Sequence, residues 1–357
     1  MKIYEDILET LKKEHRLRSI PESQHGLDLI SNDYMGLGTS NTASASRLLQ
    51  RDQTEHLRLE RCLDALYGKR TLLMNSGYHA NVGALSALSV PGTLIVSDKL
   101  IHASMIDGIR LGSGDTARFT HNDMTMLRKI LAKKASQYKA VIIAVESVYS
   151  MDGDLAPLNE LVEIKREYPN VLLYVDEAHA FGVFGNQGLG LSEELGLLSE
   201  IDIIIVTLGK ATAGYGAFIA TSETLHSYFI NCARSFIFST ALPPSMIAWN
   251  AMMIEKLLGM EEERRQLNEL SAWFRKEVEA ITGRECQSRS QIIPIHAGSA
   301  DKAIEMASAL RDAGIDALPI RRPTVAAGTE RLRLSLSAGM TKDDLIPVLA
   351  AMRYAIN

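Results

Sequence analysis

Two continuous apolar runs, Val171–Val175 and Ile203–Val206, each break off into small and charged residues. No polar residue interrupts either run, so both faces must be covered. That is the pattern of strands inside a parallel sheet, not of a half-exposed antiparallel one. Further strand candidates, Thr93–Val96, Ala140–Val145 and Ala217–Ala220, alternate with helical periodicity between Leu72 and about Ile219. Such alternation predicts an α/β domain, its sheet mostly parallel and covered by helices on both faces. Asp176–Glu177–Ala178–His179 follows the first run and Thr207–Leu208–Gly209–Lys210 the second, Lys210 lying 31 residues beyond His179. Open α/β sheets seat ligands off the carboxyl ends of their strands, which makes these charged groups candidates for a site.

Bland readings compete with that one. An Asp at a strand end commonly caps a helix or forms a turn, and a lysine after glycine is commonly a solvated charge. Asp176–His179 also spells a helicase box, which requires an upstream phosphate loop of the form G-x-x-x-x-G-K-[ST]. Gly209–Lys210 is followed by Ala211 and lies downstream, so that reading fails. The chemistry that uses an acid and a lysine together here is that of pyridoxal 5′-phosphate, held by a lysine Schiff base with an acid on its pyridinium nitrogen.

Size and charge narrow the rest. A chain of 357 residues can bury a large core and suggests a large domain plus a smaller one. A net charge of −5 gives no case for nucleic acid or an anionic membrane as partner. Cys62, Cys232 and Cys286 are scattered without C-x-x-C spacing; they support neither a disulfide framework nor a metal site, and fit a reducing compartment. The opening Met1–Asp6 lacks the apolar core of a signal peptide, and no apolar run reaches the roughly 18–20 residues of a membrane span. A cytoplasmic protein is expected.

Along the chain, residues 3–17 have helical spacing, with a break at Pro21 to Gly26. Leu57–Leu66 is a second helical stretch, ended by Gly68. After Pro243–Pro244 one long, charged helical region extends to about Ile281. A strand (Ile292–His296), a helix (Lys302–Ala313), two strands (Ala317–Ile320, Leu332–Ser337) and a helix (Lys342–Tyr354) follow. The expected division is an arm over 1–45, a large domain over 46–245, and a linking helix with a small α/β domain over 246–357.

Weaker signals lie between these. Ser76–Gly77–Tyr78 follows the run Thr71–Met74 and opens a helical stretch, a natural phosphate seat through free amides and the helix dipole. His102 stands alone in Asp98–Ser104, where a surface or cap role is the commoner one. Glu146 and Ser150 crowd the end of the Ala140–Val145 strand, although Asp152–Gly153 is also an ordinary turn. Arg321 and Arg322 offer the fork that grips a carboxylate.

The order of these signals is more specific than any one of them. Together with Ser31–Leu37, His56–Glu60, Asn75–Asn81, His102–Ser104, Phe119–Asp123, Ser150–Leu158 and Phe238–Pro244, they resemble the fold-type I pyridoxal-phosphate enzymes, specifically the α-oxoamine synthase family, over nearly the whole chain. The resemblance implies decarboxylative condensation of an amino acid with an acyl thioester, carried by coenzyme A or a carrier protein. It implies Lys210 as Schiff-base lysine, Asp176 on the ring nitrogen, His179 on the ring's 3′-oxygen and His102 on the ring face. Gly77, Tyr78 and Thr207 would hold the phosphate, with Ser239 or Thr240 from a second subunit of a homodimer. Glu146 and Ser150 would line the pocket, and Asn32 and Arg321 would meet the amino acid. Within the family, Asn75–Asn81 and Ala43–Leu49 point to the reaction of L-alanine with a pimeloyl thioester, with glycine and an acetyl thioester as the alternative. Two features depart from the family: a short Thr39–Ala45 segment, and Ser147 where glycine is usual.

Overall fold

The computed structural model describes residues 1–21, 32, 34, 35, 45–49 and 53–356, with side chains to residue 353. The break after Pro21 and the short segment at 39–44 therefore lie outside the described residues. Two compact units form: one from Met1–Ser147 with Ala156–Gly259, the other from Val148–Leu155 with Met260–Asn357.

The first unit is built on a seven-stranded sheet of β1 (Arg70–Met74), β2 (Thr93–Asp98), β3 (Asp115–Phe119), β4 (Ala140–Glu146), β5 (Val171–Asp176), β6 (Ile203–Thr207) and β7 (Ala217–Thr221), in the order β1-β7-β6-β5-β4-β2-β3. The five strands from β6 across to β3 are parallel, while β7 runs antiparallel to both β6 and β1. Every residue of β2, β4, β5 and β7 is buried, which accounts for their unbroken apolar runs. The edge strand β3 escapes sequence reading because Asp115–Thr116–Ala117–Arg118 is mostly exposed and only Phe119 is buried.

One side of the sheet is filled by Leu72, Ile95, Ile142, Tyr174, Ile205 and Ile219 against Ala80, Ala84, Leu85 and Leu88 of helix 77–88, with Tyr228 and Phe229 of helix 223–232. Helix 77–88 is rich in Ala and Gly because neighbours press on it. A Cβ on Gly108, in helix 103–111, would stand 2.8 Å from the carbonyl oxygen of Asn81. The amino-terminal helix spans Lys2–Lys13, shorter than its periodicity suggests, since His15 turns the chain with φ 56°. Helix 54–67 ends at Gly68 in the left-handed conformation, as its sequence predicts. Arg47, ahead of this helix, and Glu60 within it, 3% and 5% exposed, form a bidentate ion pair at 2.8 and 3.0 Å.

The expected single helix after Pro243 is two, Pro244–Leu258 and Glu261–Thr282, interrupted at Gly259–Met260. The second unit has a three-stranded antiparallel sheet of β8 (Ile292–His296), β9 (Leu318–Ile320) and β10 (Arg331–Ser335), ordered β8-β10-β9, with helices 261–282, 300–312 and 342–356. Val148–Leu155 is tied into this unit. Arg289 N–H donates to Gly153 O at 3.0 Å, Arg333 Nε to Ser150 O at 2.6 Å, and Arg331 pairs with Asp152. Among the described residues no helix is long and apolar enough to cross a membrane.

Candidate active site at the carboxyl ends of the central strands

Asp176 is the last residue of β5, paired in register with Glu146, the last of β4. Both are buried, at 4% and 3% exposure. The two oxygens of Asp176 have separate duties: Oδ1 accepts the Ala178 N–H at 2.9 Å, and Oδ2 accepts Asn81 Nδ2 at 2.7 Å. In the turn beyond, half-buried His179 brings Nε2 to 2.9 Å from Lys210 Nζ. The acid, the imidazole and the amine thus come from two adjacent parallel strands, where the sheet leaves its ligand face.

The backbone carrying Lys210 is fixed on both sides. Between β6 and β7, Leu208 N–H donates to Gly216 O (2.9 Å), Gly214 N–H to Leu208 O (2.8 Å) and Thr212 Oγ1 to Leu208 O (2.7 Å). Asn250 holds Tyr215 from the side, accepting its N–H at 3.1 Å and donating to its carbonyl at 2.8 Å. The lysine side chain itself is exposed.

Helix 77–88 begins beside this loop. Its cap Ser76 accepts the His79 N–H at 3.2 Å, leaving the Gly77 and Tyr78 amides in a first turn that has no intrahelical acceptors. A Cβ on Gly77 would stand 3.3 Å from Thr207 Cβ and 3.5 Å from Thr207 Oγ1, so a side chain there would fill the space between the helix end and the Thr207 hydroxyl. Backbone amides, the helix dipole and a hydroxyl around that space suit a phosphate. With a primary amine and a buried carboxylate nearby, the donor set fits pyridoxal phosphate.

His102 caps helix 103–111, Nδ1 accepting the Ser104 N–H at 3.2 Å and lying 2.7 Å from Ser104 Oγ. Partial desolvation by its neighbours lowers its pKa from the ordinary histidine value although the residue keeps an exposed face; Asp176 opposes that shift and Lys210 adds to it, which places His102 within electrostatic reach of both. The first unit therefore brings together Gly77, His102, Glu146, Asp176, His179, Thr207 and Lys210. Tyr78 stays exposed, its hydroxyl donating to Asp107 at 2.7 Å, a bond that raises its pKa. Ser239 and Thr240 lie beside Asn75 of the same chain, whose Nδ2 donates to Ser239 Oγ at 2.9 Å and Thr240 O at 2.6 Å. Asn32 is exposed and accepts from the Tyr34 hydroxyl at 3.3 Å. Ser150 and Arg321 belong to the second unit, Ser150 half-buried with its carbonyl on Arg333 and Arg321 exposed just after β9.

The roles of four residues at this end of the sheet are not legible in the sequence. Asn81, Ser104 and Tyr174 form the buried layer under Asp176 and His102. Glu177, fully buried, accepts from Ser147 Oγ (2.5 Å), Leu191 N (3.0 Å), Ser192 N (2.8 Å) and Ser192 Oγ. Burial raises its pKa, against the pull of those donors. The serine at 147 thus has a structural reason: it satisfies a buried carboxylate. In sequence, these side chains look like helix and strand filler; only long-range pairing gives them roles.

Comparison with known proteins agrees with this geometry. Residues 26–352 match the family model for aminotransferase class I and II. A Haemophilus influenzae Rd protein provisionally named 8-amino-7-oxononanoate synthase is 40% identical, over 97% of this chain and 98% of its own. A Neisseria meningitidis serogroup A protein of the same provisional name is 41% identical over 97% and 98%. Among solved structures, serine palmitoyltransferase with a pyridoxal-phosphate internal aldimine superposes with a TM-score of 0.82 at 31% identity, covering 88% of this chain and 79% of that one. The 8-amino-7-oxononanoate synthase of Francisella tularensis gives 0.75 at 29%, covering 85% and 88%. The chain belongs to the aminotransferase class I and II family, and within it to the α-oxoamine synthases, which are pyridoxal-phosphate-dependent acyltransferases. Its fold is fold type I, as the order of its motifs predicts.

Proposed function

We propose that this enzyme condenses L-alanine with a pimeloyl thioester, on coenzyme A or a carrier protein, releasing carbon dioxide, the free thiol and 8-amino-7-oxononanoate. The observation that carries the reading is the convergence of Asp176, His179, Lys210 and the Gly77–Thr207 cradle, in a chain similar over nearly its whole length to relatives of that name. The cofactor, when bound, supplies a protonated ring that draws electrons from the substrate α-carbon. The remaining work falls to the chain. Lys210 Nζ would anchor the cofactor and, once released, would take the α-proton. His179, 2.9 Å from that amine, would hydrogen-bond the cofactor's ring oxygen. Asp176 would pair with the ring nitrogen and favour its protonated form. His102 would cover one ring face and exclude water from it. Gly77, Tyr78 and Thr207 would hold the phosphate.

Glu146 and Ser150 line the pocket, while Asn32 and Arg321 orient the amino-acid carboxylate. Ser239 or Thr240 completes the phosphate site from the second subunit of a cytoplasmic homodimer. A methyl-sized difference between amino acids separates them by only about 1–3 kcal/mol, so the donor pair must be measured. Purified enzyme loaded with pyridoxal phosphate is offered L-alanine, glycine or L-serine with pimeloyl or acetyl thioesters, and products are read by mass spectrometry. Alanine with the pimeloyl donor is expected to give by far the fastest product, and borohydride to fix the cofactor on Lys210. Preference for glycine with the acetyl donor would overturn the substrate assignment, and undiminished turnover in Lys210→Ala would overturn the site.

A further inference from the structure

Beneath the proposed cofactor site lies a closed hydrogen-bond chain whose direction can be read atom by atom. Tyr174, Asn81 and Ser104 are 0%, 1% and 0% exposed. The Tyr174 hydroxyl lies 2.6 Å from Asn81 Oδ1. Asn81 Nδ2 reaches Asp176 Oδ2 at 2.7 Å and Ser104 Oγ at 3.0 Å, and Ser104 Oγ lies 2.7 Å from His102 Nδ1. Two groups of fixed polarity anchor the ends. An ionised Asp176 carboxylate only accepts, so Asn81 must turn its amide nitrogen toward it and its oxygen toward Tyr174, which then donates. The Ser104 backbone N–H only donates, and it points at His102 Nδ1 from 3.2 Å. Nδ1 must therefore carry a lone pair. Between the anchors one assignment remains: Asn81 spends one N–H on Asp176 and the other on Ser104 Oγ, and the Ser104 hydroxyl donates its hydrogen bond to His102 Nδ1.

We infer that Tyr174, Asn81 and Ser104 are positioning residues that together fix the Asp176 carboxylate and hold His102 as the neutral tautomer with its proton on Nε2. Protonating Nδ1 would turn two donors, the Ser104 amide and hydroxyl, against a third. Of the groups facing His102, Asp176 and Asp107 favour its charged form and Lys210 opposes it; partial desolvation, on a residue that keeps an exposed face, acts in the same sense as the hydrogen bonds. Close packing keeps the chain short: without a side chain at Gly108, helix 103–111 can approach Asn81, and any Cβ there would collide with the Asn81 carbonyl at 2.8 Å. The consequence is a ring that presents one N–H donor to the site and no charge. The placing of Asp176 and His102 against a cofactor rests on the function proposed above; the tautomer does not.

The decisive measurement therefore uses cofactor-free protein. Histidine ring nitrogens are labelled with 15N, His102 is assigned by its absence from a His102→Gln sample, and long-range proton–nitrogen correlations are recorded at neutral pH. A lone-pair shift at Nδ1 and a protonated shift at Nε2 are expected, as a single species. In Asn81→Leu, which removes the donor to Ser104 at similar volume, a second tautomer or the charged ring should appear. Ser104→Ala, the milder change, should raise the pH at which the His102 signal titrates. An Nδ1–H or charged ring in the unmodified protein overturns the inference, whether or not the variants fold. So does a His102 spectrum unchanged in a folded Ser104→Ala protein. If the enzyme makes no amino ketone yet shows the Nε2–H tautomer, the proposed reaction fails and the chain of positioning residues stands.

Discussion

Two buried aspartates end two parallel strands of the same sheet, and only one of them stands among the residues of the proposed site. Asp98 closes β2, is fully buried, and has all its acceptor capacity taken: Leu100 N–H at 2.7 Å, Asn122 N–H at 2.9 Å and His121 Nδ1 at 3.0 and 3.1 Å. Burial alone would raise its pKa; the bond to His121 and the two backbone donors outweigh it and lower the value. Asp176 closes β5 with one backbone donor and one amide from a distant helix. Each aspartate takes one donor from its own turn and the rest from a distant segment; Asp98 has two donors on each oxygen, whereas Asp176 has one on each and keeps room for a partner from outside. Residue type and strand position are the same in both, so the number of donors already in place is what separates the scaffold acid from the one in the proposed site.

The sharpest way to break this comparison is to neutralise each acid. Asp176→Asn should lower turnover by about 10²–10³-fold, the scale of losing one preorganised electrostatic group, with a melting temperature close to that of the parent. Asp98→Asn should do the reverse, costing about 2 kcal/mol in urea unfolding because buried donors lose a charged acceptor, while folded enzyme keeps its turnover. If the folded Asp98 variant lost activity as steeply as the Asp176 variant, the distinction would collapse.

Glu60 tests whether the rule extends beyond strand ends. It is as thoroughly satisfied as Asp98, by the Arg47 guanidinium and the Leu73 N–H at 2.9 Å, and Arg47 also reaches Gln53 at 2.6 Å. Glu60→Gln leaves a buried arginine without its counter-ion, for a loss of about 3 kcal/mol in stability. Chemical denaturation should register that loss, and the Michaelis constant for the amino acid should hardly move.

The smallest effect is in acid. A carboxylate whose pKa is lowered on folding adds stability above its unfolded value and loses it as pH falls through the folded one. For Asp98 that loss begins near the ordinary value of 3.8 and proceeds below it. Unfolding free energies from pH 6 down to the acid transition should therefore fall more gently in Asp98→Asn than in the parent, by at most one proton's slope. Parallel curves would mean that Asp98 is not held as described.

Sequence legibility follows the same division. Strands β4 to β7 could be read because burial on both faces leaves an unbroken apolar run, and the seven candidate residues gathered in the first unit were singled out because each lies in a short motif whose order along the chain carries the resemblance. β3 could not, since an edge strand with Asp115, Thr116 and Arg118 exposed has neither an apolar run nor alternation. The interruption at Gly259–Met260 was hidden because helical periodicity continues on either side of it. Asn81 carries no signal of its own: its oxygen meets Tyr174 and its nitrogen meets Asp176, each more than ninety residues away. The attachment of Val148–Leu155 to the second unit likewise depends on Arg289, Arg331 and Arg333, far along the chain.

The antiparallel course of β7 bears on how the lysine comes to be in place at all. β6 and β7 are joined by residues 208–216, the shortest connection in the sheet, whereas β5 reaches β6 only through residues 177–202. A loop of that size closes in roughly 10–100 ns, and local pairings form ahead of long crossovers. Lys210 thus lies in the most local connection of the sheet, while Asp176 takes one of its two donors from Asn81, 95 residues away. The amine needs little of the surrounding fold to be placed, and the acid needs a distant helix.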